Sequence, residues 1–162
     1  MDSRLCRAGL LPVKLAYNSG MKAIRVHSYG GPEVLKYEDV PTPVPGKGEA
    51  LVQIAACGVN YIDVYFRSGL SKEPQMPYTP GREAAGTVQA VGEGVTELRA
   101  GDRVAYAMTP GSYAEYSVVP AARLVKLPDK GDFKLGAAIM LQGMTAHYLV
   151  NSTFPLRPGH KA

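Results

Sequence analysis

Residues 58–65, Gly-Val-Asn-Tyr-Ile-Asp-Val-Tyr, place an amide, a carboxylate and a phenol within about two helical turns. Asn60 and Tyr65 carry hydrogen-bond donors that could project into a cleft, toward a carbonyl oxygen that gains negative charge. The same pattern also suits an ordinary helix start, because Asn60 is a favoured N-cap residue and Asp63 would lie in the positive first turn. Spacing alone leaves both interpretations open.

A second polar group lies in Gln142-Gly143-Met144-Thr145, inside the long proline-free segment 134–150. This segment is the one convincing long helix that the pattern predicts. A glycine inside a helix costs about 1 kcal/mol relative to alanine, so Gly143 indicates a close neighbour at this position. That neighbour is either a packed element or a ligand, and the residues alone do not decide between them.

Residues that commonly bind metals are scarce and widely spaced. No pair among the three histidines and two cysteines has a C-x-x-C or H-x-x-x-H spacing. A site assembled from distant residues stays open as an alternative. Cys57 lies in the apolar run 51–57, which is typical of a buried strand, so we expect it to be a small packing residue.

The run Gly92-Glu93-Gly94-Val95-Thr96-Glu97 begins like a dinucleotide-binding fingerprint. It has Glu97 where the third glycine or an alanine is required, and a strand rather than a helix is predicted after Gly101-Asp102. The segment therefore lacks the helix N-terminus that binds a pyrophosphate. We expect a hairpin turn here.

Most of the chain is a series of short strands separated by turn residues. Its 18 glycines and 13 prolines argue against a helical bundle, and 46% hydrophobic residues with 20% charged residues argue against disorder. No apolar stretch approaches the length that crosses a membrane. Six or seven short strands with few helices predict a β-rich, barrel-like domain of the α+β class.

Residues 1–20 differ in composition from the rest of the chain. They hold three basic residues against one acidic residue, whereas the charges of residues 21–162 are nearly balanced and scattered. A nucleic-acid surface would need clustered positive charge, so no nucleic-acid partner is expected. Residues 1–20 are interpreted either as a flexible extension or as a targeting presequence.

Several segments occur in an order that resembles one family. Together they are similar to the N-terminal half of the zinc-free, zeta-crystallin-like quinone oxidoreductases of the medium-chain dehydrogenase/reductase superfamily. The segments are Gly30-Gly31-Pro32-Glu33-Val34-Leu35, 58–65 with Arg67 and Gly69, Pro80-Gly81-Arg82-Glu83-Ala84-Ala85-Gly86, 91–96 with 101–104, 111–115 and 141–145.

The resemblance implies a GroES-like catalytic domain, a partly open β-barrel, over residues 21–150. Residues 151–162 would then be a truncated linker toward a Rossmann nucleotide-binding domain that the chain lacks. Asn60 and Arg82 stand where zinc-dependent relatives have metal ligands, so no metal is expected. Ser71 stands where many relatives have a pocket tyrosine, which leaves the substrate preference open.

The resemblance also implies an NADPH-dependent reaction, hydride transfer to a quinone or another conjugated carbonyl, with one-electron reduction as an alternative. Side-chain donors would polarise the substrate in place of a metal ion. By resemblance, Asn60 and Tyr65 are the catalytic residues. Asn60, Tyr65, Gln142 and Thr145 line the cleft near the nicotinamide and bind the cofactor.

Other expectations concern this chain by itself. Without a cofactor domain it would bind NADPH weakly and be inactive alone. The alternatives are an enone or enal reductase of the same superfamily, and a non-catalytic GroES-like module that pairs with another subunit through an exposed apolar face on residues 135–149. We expect a small-molecule quinone or enone substrate, no membrane partner, and homo-oligomers among full-length relatives. The expected location is cytoplasmic, or mitochondrial or plastid if residues 1–20 are a transit peptide.

Overall fold

The computed structural model describes residues 20–161, and its secondary structure is dominated by seven strands. The expected extension or presequence over residues 1–20 lies outside the described residues except for Gly20. The strands are β1 (Gly20–Val26), β2 (Leu35–Pro41), β3 (Glu49–Cys57), β4 (Glu83–Val91), β5 (Arg103–Ala107), β6 (Tyr116–Pro120) and β7 (Val125–Lys126).

The helical elements are short. They are α1 (Tyr61–Ser68), α2 (Phe133–Ala138), a π-helical segment (Ile139–Gly143), α3 (Met144–Tyr148) and a second π-helical segment (Leu149–Thr153), with 3-10 turns at Pro32–Val34 and Ala121–Arg123. The long helix predicted over 134–150 is thus present but is interrupted by π-helical geometry. Among residues 20–161, no helix combines the length and the apolar character needed to span a bilayer.

All strand pairs are antiparallel and form two sheets. Strands β1 and β2 make a two-stranded sheet, and the larger sheet has the order β6-β3-β4-β5-β7. Strand β1 is also bonded to two connecting segments outside the larger sheet, from Ile24 N to Tyr113 O at 2.8 Å and from Val26 N to Tyr78 O at 2.9 Å. This open arrangement confirms the predicted β-rich class.

The glycine pair at 92–94 forms a turn, as its sequence predicts. Gly92 donates its N–H to Glu49 O at 2.7 Å, and Gly94 has a φ of 82°, in the left-handed region that favours glycine. The chain then enters β5 after Gly101 rather than a helix. The described structure therefore has no phosphate cradle at this turn.

Strand β4 is covered on both faces, which explains its nearly continuous apolar sequence. Ala84 and Val88 belong to the main core with Val52, Val104 and Tyr106. On the other face, a smaller cluster is formed by Ala85, Ala105, Ala137 and Met140, which brings α2 and the first π-helical segment against the sheet. The small side chains on this face let the helical segment pack close to β4.

At Gly86 the backbones of β4 and β3 leave no room for a side chain. A Cβ atom on Gly86 would lie 2.0 Å from the main-chain oxygen of Gln53. The register of β3 shifts nearby, between Ile54 and Ala56, so the backbone there bulges toward β4. Only glycine fits without moving one of the strands.

We expect Gly86→Ala to lower the free energy of unfolding by about 2–3 kcal/mol, because the added methyl group overlaps main-chain atoms that cannot rotate away. Urea denaturation followed by circular dichroism measures the loss. Gly20→Ala is the matched control, since its Cβ would lie at an ordinary 3.7 Å from Val40 O. Equal stability of the two variants would contradict the close approach.

Candidate functional site

Three polar side chains from distant parts of the sequence form a hydrogen-bonded chain, which we call the amide relay: Glu83, Asn60 and Gln142. The Nδ2 atom of Asn60 donates to Glu83 Oε2 at 2.8 Å. The Nε2 atom of Gln142 donates to Asn60 Oδ1 at 3.2 Å. The structure thus brings together two of the four predicted site residues, Asn60 and Gln142.

Glu83, the first residue of β4, is the inner end of the relay and is completely buried. Its second carboxylate oxygen, Oε1, accepts the main-chain N–H of Leu141 at 2.5 Å. A Cβ atom on Gly58 would lie 2.0 Å from Glu83 Oε2, so the glycine leaves room for the carboxylate. Glu83 therefore links the loop before α1 to the first π-helical segment.

Asn60 occupies the N-cap position of α1, and Asp63 fixes its backbone. The N–H of Asn60 donates to Asp63 Oδ2 at 3.0 Å, and the N–H of Asp63 donates to the main-chain oxygen of Asn60 at 3.0 Å. Tyr113 also donates its hydroxyl to Asp63 Oδ2, at 2.8 Å. Burial, and then this carboxylate, raise the pKa of Tyr113 well above its ordinary value, so the phenol stays a donor.

The other two predicted site residues lie outside the relay. The ring of Tyr65 contacts Tyr61 edge-to-face, with the ring centroids 5.3 Å apart, and is partly exposed. The hydroxyl of Thr145 donates to Leu141 O at 2.7 Å, within its own helical segment. Both residues flank the elements that carry the relay, Tyr65 on α1 and Thr145 on α3.

Arg82 is held away from the relay although it precedes Glu83. Its guanidinium pairs with Glu73 and lies over the ring of Phe66, 3.8 Å from the centroid. A guanidinium has no lone pair to give to a metal. Among the described residues 20–161, no group of three or more His, Cys, Asp and Glu side chains is arranged to hold a metal ion.

The expectation that Cys57 is a buried packing residue is wrong, because its side chain is exposed. In the first half of β3, Ala50, Leu51 and Val52 are fully buried, whereas in the second half exposed residues alternate with partly buried ones. Cys57 lies instead at a mostly apolar cavity of about 480 Å³, lined also by residues of β1, Tyr37 of β2 and residues 112–115. The thiol reaches solvent, but its apolar surroundings still raise its pKa by desolvation.

The helical segment near the end of the chain and the residues just after it expose many large apolar side chains, and we call this group the terminal apolar face. It matches the signature expected for residues 135–149 and extends beyond them. Its members are Leu135, Ile139, Met144, Tyr148, Leu149, Val150, Phe154 and Leu156. Large exposed apolar side chains clustered in this way are typical of an interaction surface.

Sequence reasoning missed Glu83, Tyr113 and the N–H of Leu141 as parts of this site. Glu83 appeared only as one letter of a motif. The sequence did contain an indication, because Glu83 directly precedes the small apolar residues 84–86 of a buried strand. A carboxylate buried there costs free energy unless it has hydrogen-bond partners. The partners themselves lie too far along the chain for spacing to reveal them.

The architecture belongs to a known class of domain. Residues 46–129 match the family described as the alcohol dehydrogenase GroES-like domain, so the chain belongs to that family. Its most similar curated relatives include several that are named quinone oxidoreductase. The quinone oxidoreductase of Pseudomonas aeruginosa is 49% identical over 139 residues, which are 85% of this chain and 43% of that relative.

Solved structures agree. The quinone oxidoreductase of Pseudomonas syringae is 46% identical with a TM-score of 0.83, over 86% of this chain and 43% of that one. The Escherichia coli quinone oxidoreductase complexed with NADPH is 40% identical with a TM-score of 0.82, over 85% of this chain and 42% of that one. The resemblance found in the motifs is confirmed, and the chain spans less than half the length of these relatives.

We expect Cys57 to react with iodoacetamide more slowly than free glutathione at about pH 8, because its raised pKa leaves less thiolate. Its rate should keep rising at higher pH, where the rate of glutathione levels off. Mass spectrometry of a Cys6→Ser variant, in which Cys57 is the only thiol, measures this. In urea the two rates should become equal, and a folded-state rate equal to that of glutathione would contradict the desolvation.

Proposed function

We propose that the chain forms the substrate side of an NADPH-dependent oxidoreductase that reduces quinones or other conjugated carbonyls. The observation that carries the proposal is the amide relay, in which Asn60 and Gln142 are held by a buried carboxylate. Support comes from relatives named quinone oxidoreductase and from the Escherichia coli structure complexed with NADPH.

In this proposal Asn60 and Gln142 donate hydrogen bonds to oxygen. Each side-chain amide has two N–H groups, and the relay uses one from each. The remaining N–H groups are free for a carbonyl oxygen that gains negative charge as the substrate is reduced. Donors fixed in advance stabilise such charge strongly, since they need no reorganisation during the reaction.

Tyr65 and Thr145 take secondary roles in the proposal. Tyr65 is partly exposed at the side of α1, where its hydroxyl is available to a ligand as a second catalytic donor. Thr145 lies one turn beyond Leu141 and would contact the nicotinamide side of the cleft together with Asn60, Tyr65 and Gln142. These four residues are the proposed contacts to the cofactor.

The described residues fit one end of NADPH. When bound, the cofactor supplies the hydride. The amide N–H groups of the relay suit a substrate carbonyl oxygen. Together with an amide oxygen, they also suit the carboxamide group of the nicotinamide ring. Within residues 20–161, the glycine pair at 92–94 leads into a strand and binds no pyrophosphate at a helix end. We therefore propose that this chain by itself binds NADPH weakly and has negligible turnover.

Domain boundaries, partners and location belong to the same proposal. The catalytic domain spans residues 21–150, and residues 151–162 lead toward a nucleotide-binding domain of the kind that would account for the greater length of the relatives. The full-length relatives are proposed to be homo-oligomers. We place the chain in the cytoplasm, or in a mitochondrion or plastid if residues 1–20 are a transit peptide.

Two alternatives have their own tests. An enone or enal reductase would turn over those substrates faster than quinones in a full-length form. A non-catalytic module that pairs with another subunit is favoured by the terminal apolar face, whose large side chains are exposed. Size-exclusion chromatography that shows a clean monomer would count against the second alternative.

To test the main proposal, the chain replaces the corresponding part of the Pseudomonas aeruginosa quinone oxidoreductase. We expect this chimera to oxidise NADPH with 9,10-phenanthrenequinone, whereas the chain alone does not. Asn60→Ala in the chimera should lower kcat/KM by about 100-fold, because one donor to the developing charge is lost. Loss of NADPH absorbance measures the rate.

The matched control is Gln89→Ala, which removes an exposed amide that bonds Gln53 and lies outside the relay. Its rate should equal that of the unmodified chimera. Clear NADPH oxidation by the chain alone would contradict the proposed dependence on a cofactor domain. An Asn60→Ala chimera with full activity would remove Asn60 from the catalytic role.

A further inference from the structure

Glu83 is a buried carboxylate without a cationic partner, although a cation is close in sequence. Its oxygens accept from two neutral donors, the N–H of Leu141 and the amide of Asn60. The neighbouring Arg82 pairs with Glu73 instead. Burying a carboxylate among neutral groups costs free energy, so its presence at this position points to a functional requirement.

The chemistry of a carboxylate restricts its neighbours. An ionised carboxylate only accepts hydrogen bonds, whereas a side-chain amide has a donor end and an acceptor end. Asn60 must therefore turn its NH₂ group toward Glu83, which leaves its oxygen on the side of Gln142. Gln142 must in turn present its own NH₂ group to that oxygen. The direction of the whole relay follows from its buried end.

We propose that Glu83 is a positioning residue of the site, because its acceptor-only carboxylate fixes the direction in which the amides of Asn60 and Gln142 face. This inference rests on the proposed function for its catalytic meaning. The second N–H of Asn60, which the relay does not use, is thereby held on the side of Asn60 that faces Glu83. A reversed relay would put an oxygen at that position, where it would repel the oxygen of a reduced substrate.

The backbone around Glu83 is consistent with this role. Gly58 leaves space for the carboxylate that a Cβ atom would fill. The N–H of Leu141 belongs to the first π-helical segment, where the regular hydrogen bonding of an α-helix is displaced. Glu83 accepts that N–H at 2.5 Å. The same side chain therefore holds both Asn60 and the helical segment that carries Gln142.

A charge exchange in the 162-residue chain tests the direction of the relay without any assay of activity. Asn60→Asp alone places two carboxylates against each other, and we expect a large fall in the urea midpoint. Glu83→Gln alone leaves one acceptor oxygen, and we expect it to stay with the N–H of Leu141. The new NH₂ group then faces Asn60, so both amides turn over and the side-chain NH₂ signals of Asn60 and Gln142 shift in ¹H–¹⁵N spectra. The double variant again pairs one carboxylate with amide donors.

We expect the double variant, Asn60→Asp with Glu83→Gln, to regain more than half of the fall in urea midpoint that Asn60→Asp causes. Slow hydrogen exchange of the Leu141 N–H should also return. Such coupling is what a double-mutant cycle measures. The matched control is Glu73→Gln combined with Asn60→Asp, because Glu73 is also a largely buried carboxylate but pairs with Arg82. This control should recover nothing. Strictly additive losses in the Glu83 cycle would overturn the proposal.

A second arm separates the inference from the proposed function. In the chimera, Glu83→Gln should lower kcat by about 10- to 100-fold with a much smaller rise in the KM for NADPH, because the donors of Asn60 and Gln142 are turned over while Tyr65 and Thr145 keep their positions. An unchanged kcat in an active chimera would overturn the positioning role. If the unmodified chimera is inactive, the proposed function fails. The charge exchange still decides whether Glu83 fixes the direction of the amides of Asn60 and Gln142.

Discussion

The buried carboxylate of Glu83 is the constraint on which the arrangement of the site depends. It joins three segments that lie far apart in the sequence: the start of β4, the loop that begins α1 and the first π-helical segment. Each oxygen has a donor from a different segment, so the carboxylate is satisfied only when both are in place. The energetic cost of a lone buried charge thus becomes a requirement for correct assembly.

The packing of the sheet makes this assembly possible. Strand β4 carries Ala85 and Gly86 directly after Glu83, and these small residues admit close neighbours on both sides. Gly136 of α2 also lies close to the strand, since a Cβ atom there would lie 3.4 Å from the Cβ atom of Ala85 and 2.8 Å from the side chain of Leu127. Small residues therefore bring the helical segment near enough for its main chain to reach the carboxylate. Larger side chains at these positions would separate the two.

Local patterns predicted much of the fold, and long-range contacts explain what they missed. Alternating and apolar runs identified the strands, and the faulty fingerprint at residues 92–97 was correctly interpreted as a turn. The π-helical interruptions left no periodic signal, and Cys57 was misplaced because an apolar run does not show where its cover ends. Asn60 and Gln142 are 82 positions apart, so only the folded chain reveals that they bond.

The terminal apolar face has a thermodynamic consequence for the rest of the molecule. The same helical segment presents apolar side chains outward and supplies Leu141 and Gln142 inward. A partner that covered the outer side would bind the ordered segment better than an unfolded one, so it would raise the population of molecules in which the inner contacts are formed. Binding at the terminal apolar face and ordering of the relay would therefore favour each other, so that a change in one would change the other.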